Sequence, residues 1–600
     1  MANKKTSFNY TSRDFDTIKT DLVKYAQRYY PDIYKDFGDA SFGSLMLDSV
    51  TYVGDVLSFY LDYQANESFL ETATEYDNVL KIGNNVGYNN PADGTVGSVG
   101  EIDLFVIVPA NDTGLGPAAE YMPVLEAGAV ITSNGGTSFT LEEDARFDYS
   151  KNQVVVARVS DSTGVPTHYA IKTTGTVVSG IIREESISVG SFEKFKKVKL
   201  GSNAISEVIS VFDDSGNEYF QVDYLSQNVL YKDVANRGTD KDNAPSILKP
   251  FIASRRFVIE KSSNSTHLVF GYGSESELTS SSVADPSSIA LQRHAKKYVA
   301  DEAIDPSKFL STDKFGIGPS DTTLTVKYRI NNSNTVNVST NSLVNISQKN
   351  VSFADRTALI DSKASEVTNS IEVNNPNQIV GSVSLPDTTE LKRRMIDSFA
   401  AQNRAVTGQD IESATYSMSN KFGSIKRCKV VRDSSSLRRN LNLYVLSEGT
   451  DGKLSTASQS LKENLKVWLG KGRMIGDTID ILDGKIVNIG IEFTIVADSS
   501  MNNYEVLSDA LSTLKNEFSV PLYMGEPLYI TDIYNILNKN VSGVVDTKSV
   551  KVSLKSGNSY SGVSFDLESA TSADGRFIEV PQNVALEVKF TNSDIKGMVE

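Results

Sequence analysis

One cysteine and three histidines in 600 residues leave little from which to build a disulfide or a transition-metal site. Cys428 has no partner for an internal bridge, which excludes a Cys-based zinc site and fits assembly in a reducing cytosol. It stands in a β-rich run, so a buried, inert thiol is the ordinary reading. His168, His267 and His294 are isolated, each without a second ligand at metal spacing, and no metal site is expected. Long apolar runs are missing too: no stretch of about 18 apolar residues occurs. The polar opening from Met1 to Ser7 lacks a signal core, so neither membrane anchoring nor signal-directed secretion is expected. Positive charge is in deficit, with 59 Lys and Arg against 75 Asp and Glu for a net charge of −16, which opposes a general nucleic-acid-binding role. The basic clusters Lys194/Lys196/Lys197/Lys199 and Lys392/Arg393/Arg394 are short, and each reads as a solvated face or a contact with an acidic partner.

Catalytic patterns are lacking as well. The acidic pairs Glu142/Glu143 and Asp213/Asp214 read as turn or surface residues, because general acid/base work needs a cleft that holds both groups. Gly271-Tyr272-Gly273 opens no helix of a βαβ unit, and Gly470-Lys471-Gly472 lacks the spacing and hydroxyl residue of a phosphate loop. No catalytic residue, no cofactor site and no enzyme activity are expected.

What is present is enough apolar residue content, 40%, to form several cores, with length suggesting about four domains. A helix over residues 11–30 is opened by a Thr11…Asp14 capping pair and closed by Pro31, with Phe15, Ile18, Leu22, Tyr25 and Tyr29 spaced three, four, three, four. A second helix, about 43–63, repeats that rhythm with Met46, Val50, Val53, Leu57 and Tyr60. A third begins at a Thr74…Asp77 cap and ends at Gly87. Stripes this short do not make a free-standing coiled coil. They pack on each other and on the rest of the chain, or at least one docks on helices of other subunits.

From Gly97 the period changes to two. Ile102, Leu104, Val106 and Val108 alternate, and Leu324, Val326, Tyr328 and Ile330 alternate with Thr325, Lys327 and Arg329 on a wet face. Residues 95–330 read as β-rich, with room for two subdomains and an exposed Ser-rich loop at 274–288. Within 331–385, residues 331–350, dense in Asn and Ser, read as a linker or a long excursion, a helix follows near Asp355 to Thr368, and the sequence specifies little else up to a domain boundary near Leu385. Two α/β units follow, 386–484 and 485–600. Pro386 and Asp387 open a helix with Leu391, Met395 and Phe399 on one face and Arg393, Arg394 and Arg404 on the others. Thr407 then caps the next helix, with Asp410 placed to reach back. The expected fold class is therefore multidomain α+β: an N-terminal helical segment over 1–94, β-rich middle domains, and two C-terminal α/β domains of sandwich-like build.

The order of these C-terminal features carries a resemblance. A basic helix, Ala405-Val406-Thr407-Gly408-Gln409-Asp410, the turn Arg473-Met474-Ile475-Gly476, the bend around Gly525 and the strand start at Gly543-Val544 resemble, in sequence, the baseplate J-like family of contractile phage tails. The similarity is greatest to the baseplate wedge proteins of T-even-type phages. The N-terminal run Phe37 to Leu45, then Asn66 to Ala73 and Asn84 to Tyr88, is similar to the start of the same proteins. The resemblance implies structural roles for Val406, Thr407, Asp410, Gly476, Gly525 and Gly543. It implies a non-enzymatic scaffold in the tail baseplate of a virion, assembled in the host bacterial cytoplasm. Its N-terminal helices would join a wedge bundle, its β domains project outward, and its C-terminal domains pair between copies to close the inner baseplate ring. Expected partners are other wedge subunits, further copies of itself, and sheath-initiating and hub-proximal proteins, without nucleic acid or membrane insertion. The chain would relay the conformational change that triggers sheath contraction. Members of this family also serve in phage-derived injection systems, and the competing class is a glycan-binding tail-fibre or adhesin protein.

Overall fold

The computed structural model describes residues 14–29, 41–88, 97–111, 113–202, 204–236, 246–262, 265–274, 315–331, 336–419, 422–433, 440–474 and 476–600. Thr11, Pro31, His294, Ile475 and nearly all of the Ser-rich stretch lie outside them. The described residues form a multidomain α+β protein: a helical N-terminal segment, a run of β-sheets and later α/β regions. Backbone proximity groups 1–90 with 385–404 in one unit, and 91–384 with 405–600 in another.

The first unit contains α1 (Phe15–Tyr29), α2 (Phe42–Asn66) and α3 (Tyr76–Asn85), and it takes in a later helix, Thr388–Ala401. Ala73, Val79, Tyr88, Leu391 and Met395 form its small core. Thr74 does not cap α3, as the sequence pattern expects. The cap position is Glu75, without a side-chain bond, because Thr74 donates to Glu67 instead. The Thr388–Ala401 helix also turns differently from its reading. Leu391 and Met395 are buried, Phe399 is 62% exposed, and Arg394 is buried beside Glu390 at 2.5 Å. Packing uses the i, i+4 pair 391/395 and the arginine next to it, so the inward face ends before Phe399.

In the second unit the strands run in chain order β1 (Val99–Pro109), β2 (Val130–Ser133), β3 (Ser138–Leu141), β4 (Gln153–Val159), β5 (Pro166–Ser179), β6 (Ile181–Val189), β7 (Lys197–Lys199), β8 (Ile205–Phe212), β9 (Glu218–Gln221), β10 (Arg256–Ser262), β11 (Ser265–Phe270), β12 (Thr322–Ile330) and β13 (Leu343–Gln348). After helix α4 (Asp361–Asn369) comes β14 (Glu372–Asn374). One sheet has the order β13-β2-β3-β5-β1-β14, with β4 also on β5. Its centre is the antiparallel pair β1/β5, in register from Val99 opposite Val178 to Pro109 opposite His168. Ile102, Leu104, Val106 and Val108 are fully buried, so the alternation read from sequence is the inner face.

A second sheet, β6-β12-β8-β9-β10-β11-β7, is built entirely from residues between β5 and β13. It is an insertion into the first sheet's domain. Leu324, Val326, Tyr328 and Ile330 enter its core. Arg329, placed on the wet face by alternation, is 5% exposed and lies 3.6 Å from Glu207, because the strand's end is covered. Residues 331–385 supply β13, α4 and β14, which pair with β2 and β1.

The C-terminal part begins with α5, the name given to the Thr388–Ala401 helix, and α6 (Gly408–Tyr416). Strands β15 (Arg427–Arg432), β16 (Asn440–Glu448) and β17 (Thr478–Asp483) then form a sheet with β17 parallel to β16, and α7 (Gln459–Gly470) buries Leu461, Leu465 and Leu469 on it. The last layer centres on β18 (Lys485–Ala497), antiparallel to β19 (Val544–Leu554) and parallel to β20 (Val584–Glu587) and β21 (Ile595–Val599). Helices α8 (Asn503–Glu517) and α9 (Ile530–Asn540) close its core with Val506, Ala510, Leu514, Ile533 and Leu537.

Candidate functional site

Helix α2 is 25 residues long and starts at Ser41, whose side chain accepts the Ser44 N–H at 3.1 Å. Its contact with α1 uses small and polar residues. Ser44 and Thr51 are buried, Asp48 takes Lys19 at 2.7 Å, and a Cβ on Gly54 would stand 3.5 Å from Ile18 Cδ1. The only charged residues of α2 are Asp48, Asp55 and Asp62, seven apart, so helix periodicity puts all three on the same side as Thr51.

The opposite side is apolar and open. Met46, Val50, Val53, Leu57 and Tyr60, the stripe read from sequence, are 52%, 56%, 55%, 57% and 62% exposed. Leu45, Tyr52 and Phe59, again seven apart, form a second exposed line beside it. On α1, Phe15, Ile18 and Leu22 are half-buried, whereas Tyr25 and Tyr29 are exposed with ring centroids 4.7 Å apart. Helical amphipathicity normally puts the apolar face inward. In α2 it is reversed. Covering the remaining half of five such side chains is worth on the order of 4–8 kcal/mol before ordering costs, at about 1.5–3 kcal/mol per fully buried residue.

The turn after α2 is braced by a residue that the sequence reading did not single out. Glu67 is 5% exposed and accepts from the Thr74 N–H and hydroxyl, both at 2.7 Å, from the Asn78 amide at 3.0 Å and from the Glu75 N–H at 3.3 Å. Burial by itself would raise its carboxyl, but these donors outweigh it and pull the group from 4.5 down to about 2. Burial pushes the Tyr88 hydroxyl up to about 12. The available sequence signals for this unit were the seven-residue spacing of the aspartates and Glu67 standing seven residues before Thr74.

The motif residues of the second unit have local work to do. Thr407 accepts the Asp410 N–H at 3.1 Å and Asp410 accepts the Thr407 N–H at 2.9 Å, a complete capping box; Val406, just before it, is 54% exposed. Gly525, at φ +70°, would bring a Cβ to 3.0 Å from Gln582 Cα, and Gly543, at φ +87°, would bring one to 2.5 Å from Met501 Sδ. A Cβ at Gly476 would meet open space. These positions lie at separate turns and form no common cleft. His168 Nε2 is 4.0 Å from Glu366, and His267 lies on β11 opposite Glu260. Among the described residues no group of three or more His, Cys, Asp or Glu is placed to hold a metal ion. No helix among them is long and apolar enough to cross a membrane. Within the basic clusters Lys197 pairs with Glu260, Lys196 with the Ser191 carbonyl, Lys392 with the Glu71 carbonyl and Arg393 with Asp397.

The open stripe falls inside a recognisable segment. Residues 15–85 match the family model for the bacteriophage baseplate protein, N-terminal domain. That stretch runs from the start of α1 to the end of α3. Among curated proteins nothing matches the chain. Among solved structures, the chain is similar at 9% identity to a chain of the anti-feeding prophage baseplate, with 96% of this chain and 98% of that one covered and a TM-score of 0.23. It is similar, also at 9% identity, to a chain of the type VI secretion system TssK-TssF-TssG baseplate subcomplex, with 73% and 96% covered and a TM-score of 0.24. Superpositions this loose do not define a common fold.

Proposed function

We propose that this chain is a structural, non-enzymatic subunit of a contractile-tail baseplate, a J-like wedge protein of the T-even type. Its N-terminal helices bury their exposed apolar faces on helices of neighbouring wedge subunits. Its C-terminal α/β region pairs between copies to close the inner ring, and the assembled ring passes the conformational change that releases the sheath. The observation that carries this reading is the reversed amphipathicity of α2, an apolar stripe at heptad spacing turned away from the chain's own α1, within the segment that matches a baseplate domain. A helix with that pattern is stable in water only marginally and gains most when other helices cover it.

The test is the double substitution Val53→Asp/Leu57→Asp in the full chain, co-expressed with the other tail subunits. Both side chains are already more than half exposed, so the variant is expected to fold and to unfold thermally like the parent. It is expected to drop out of the co-purified wedge complex. Retention at the parent's stoichiometry would overturn the docking role. Loss of binding only together with global unfolding would assign the stripe to the chain's own stability.

A further inference from the structure

Strand β4 (Gln153–Val159) is the most exposed strand of the first sheet. It hydrogen-bonds to β5 on one side, and among the described residues no strand lies on the other. All seven residues are exposed, with Val154 at 45%, Val155 at 62%, Val156 at 48% and Val159 at 51%. Val154 and Val156 are opposite Ile171 and Tyr169 and share their face, while Val155 points to the other, so both faces of an open edge are apolar. Soluble proteins blunt such edges with lysine, proline or inward charges. Gln153 to Val156 has none of these. The single charge within the strand, Arg158, is held by Glu366 at 3.4 Å, and the register shifts on both sides of Arg158, between Val156 and Arg158 and between Arg158 and Val159, so the regular edge is the stretch Gln153 to Val156.

The charges at the two ends of the strand identify an occupant. Lys151 precedes β4 and Asp161 follows it; both are exposed, and neither has an ion-pair partner among the described residues. They lie symmetrically about Val156, five residues on either side. Antiparallel pairing of β4 with β4 of a second copy, centred on Val156, brings the turn that holds Lys151 of each copy to the turn that holds Asp161 of the other, within reach of an ion pair. It also places Val155 opposite Ala157, covering the valines on both faces. A parallel pairing would leave the two charges far apart.

We propose that β4 is a self-pairing edge, through which two copies of this chain join their first sheets in an antiparallel, two-fold arrangement held by two reciprocal Lys151–Asp161 ion pairs. This contact is separate from the helix docking above and does not depend on it.

Cross-linking at the symmetry centre tests it in the full chain. In an antiparallel pair, directly opposed residues have Cα atoms about 4.5–5.5 Å apart, within the span of a disulfide. The native Cys428 is buried and does not compete. The Val156→Cys variant, treated with a mild oxidant, is expected to form a reducible dimer at least ten times faster than Tyr504→Cys, a control at an 85% exposed position. Adding Val155→Lys should abolish the dimer. Lys151→Glu should slow cross-linking, and combining it with Asp161→Lys should restore the rate, a rescue that general stickiness of the strand does not give. Val156→Cys cross-linking no faster than the control overturns the proposal. If Val155→Lys instead releases a different tail subunit while Val156→Cys stays monomeric, the edge pairs with a foreign strand and the second-copy assignment fails. Cross-linking that ignores both charge variants overturns the register.

Discussion

Thr74 donates both its backbone N–H and its hydroxyl to Glu67 Oε1, each at 2.7 Å, and so fixes the reversal between α2 and α3. Removing the carboxylate by Glu67→Ala leaves two backbone donors, at Thr74 and Glu75, without the charged acceptor they share. A loss of about 1–3 kcal/mol in the local stability of the helical unit is expected. Hydrogen exchange across residues 66–85 would read it.

The same contact sets a pH dependence. A carboxyl lowered from 4.5 to about 2 in the folded state contributes stability that is fully present above about pH 4.5 and is lost as pH falls toward 2, because the unfolded chain takes up the proton first. Protection of α2 and α3 should therefore decline over that window. In Glu67→Gln this contribution to the decline should disappear.

The two faces of α2 should respond oppositely to charge. Thr51 is fully buried on the α1 side and gives its hydroxyl to the Leu47 carbonyl at 2.7 Å, so Thr51→Lys should separate α1 from α2 and raise exchange in both helices. Leu57→Lys on the open face should change stability by no more than about 0.5 kcal/mol. Equal destabilisation by the two variants would contradict the orientation described for the helix.

Arg427 is 1% exposed, donates to the carbonyls of Lys426 and Pro521, and lies over the Tyr523 ring with 4.4 Å to its centroid. It ties β15 to the segment between α8 and α9. Arg427→Ala should cost about 1–3 kcal/mol through the unpaired carbonyls, with the added loss of packing on Tyr523. Chemical unfolding of the full chain should show an earlier transition for the C-terminal part.

Gly543→Ala tests a motif glycine. Its φ of +87° costs an L-residue about 1–2 kcal/mol, and the added Cβ would press on Met501 Sδ. Gly476→Ala, with open space for its Cβ, should be close to neutral. Thermal unfolding of the pair gives the contrast directly.

Local periodicity made a good part of this architecture legible. The alternation at Ile102 to Val108 and at Leu324 to Ile330 depends on nearest neighbours along a strand, and those residues are buried as the pattern requires. The capping box of Thr407 and Asp410 spans three residues, so its chemistry is complete within the sequence. Longer helices were harder. On α8 the three-four spacing of Tyr504, Leu507, Leu511, Leu514 and Phe518 reads as one inward face; Leu514 and Phe518 are buried and Leu507 and Leu511 pack against the core, but Tyr504 is 85% exposed and Val506 and Ala510 are buried as well, so the inward face is rotated toward the smaller side chains.

What the sequence determined by itself was the helices and the strands with a clean period, and the existence of an apolar heptad stripe on α2, since these follow from the order of side chains along one helix or strand. Which way that stripe faces was decided only by tertiary structure: α1 settles on the side of Ser44, Thr51 and Gly54, where small residues let two backbones approach and Lys19 can reach Asp48. Tertiary structure likewise sent β13 and β14 back to the first sheet after more than 150 intervening residues. A strand's partner is chosen by hydrogen bonds across the sheet, and no local run of residues encodes that choice.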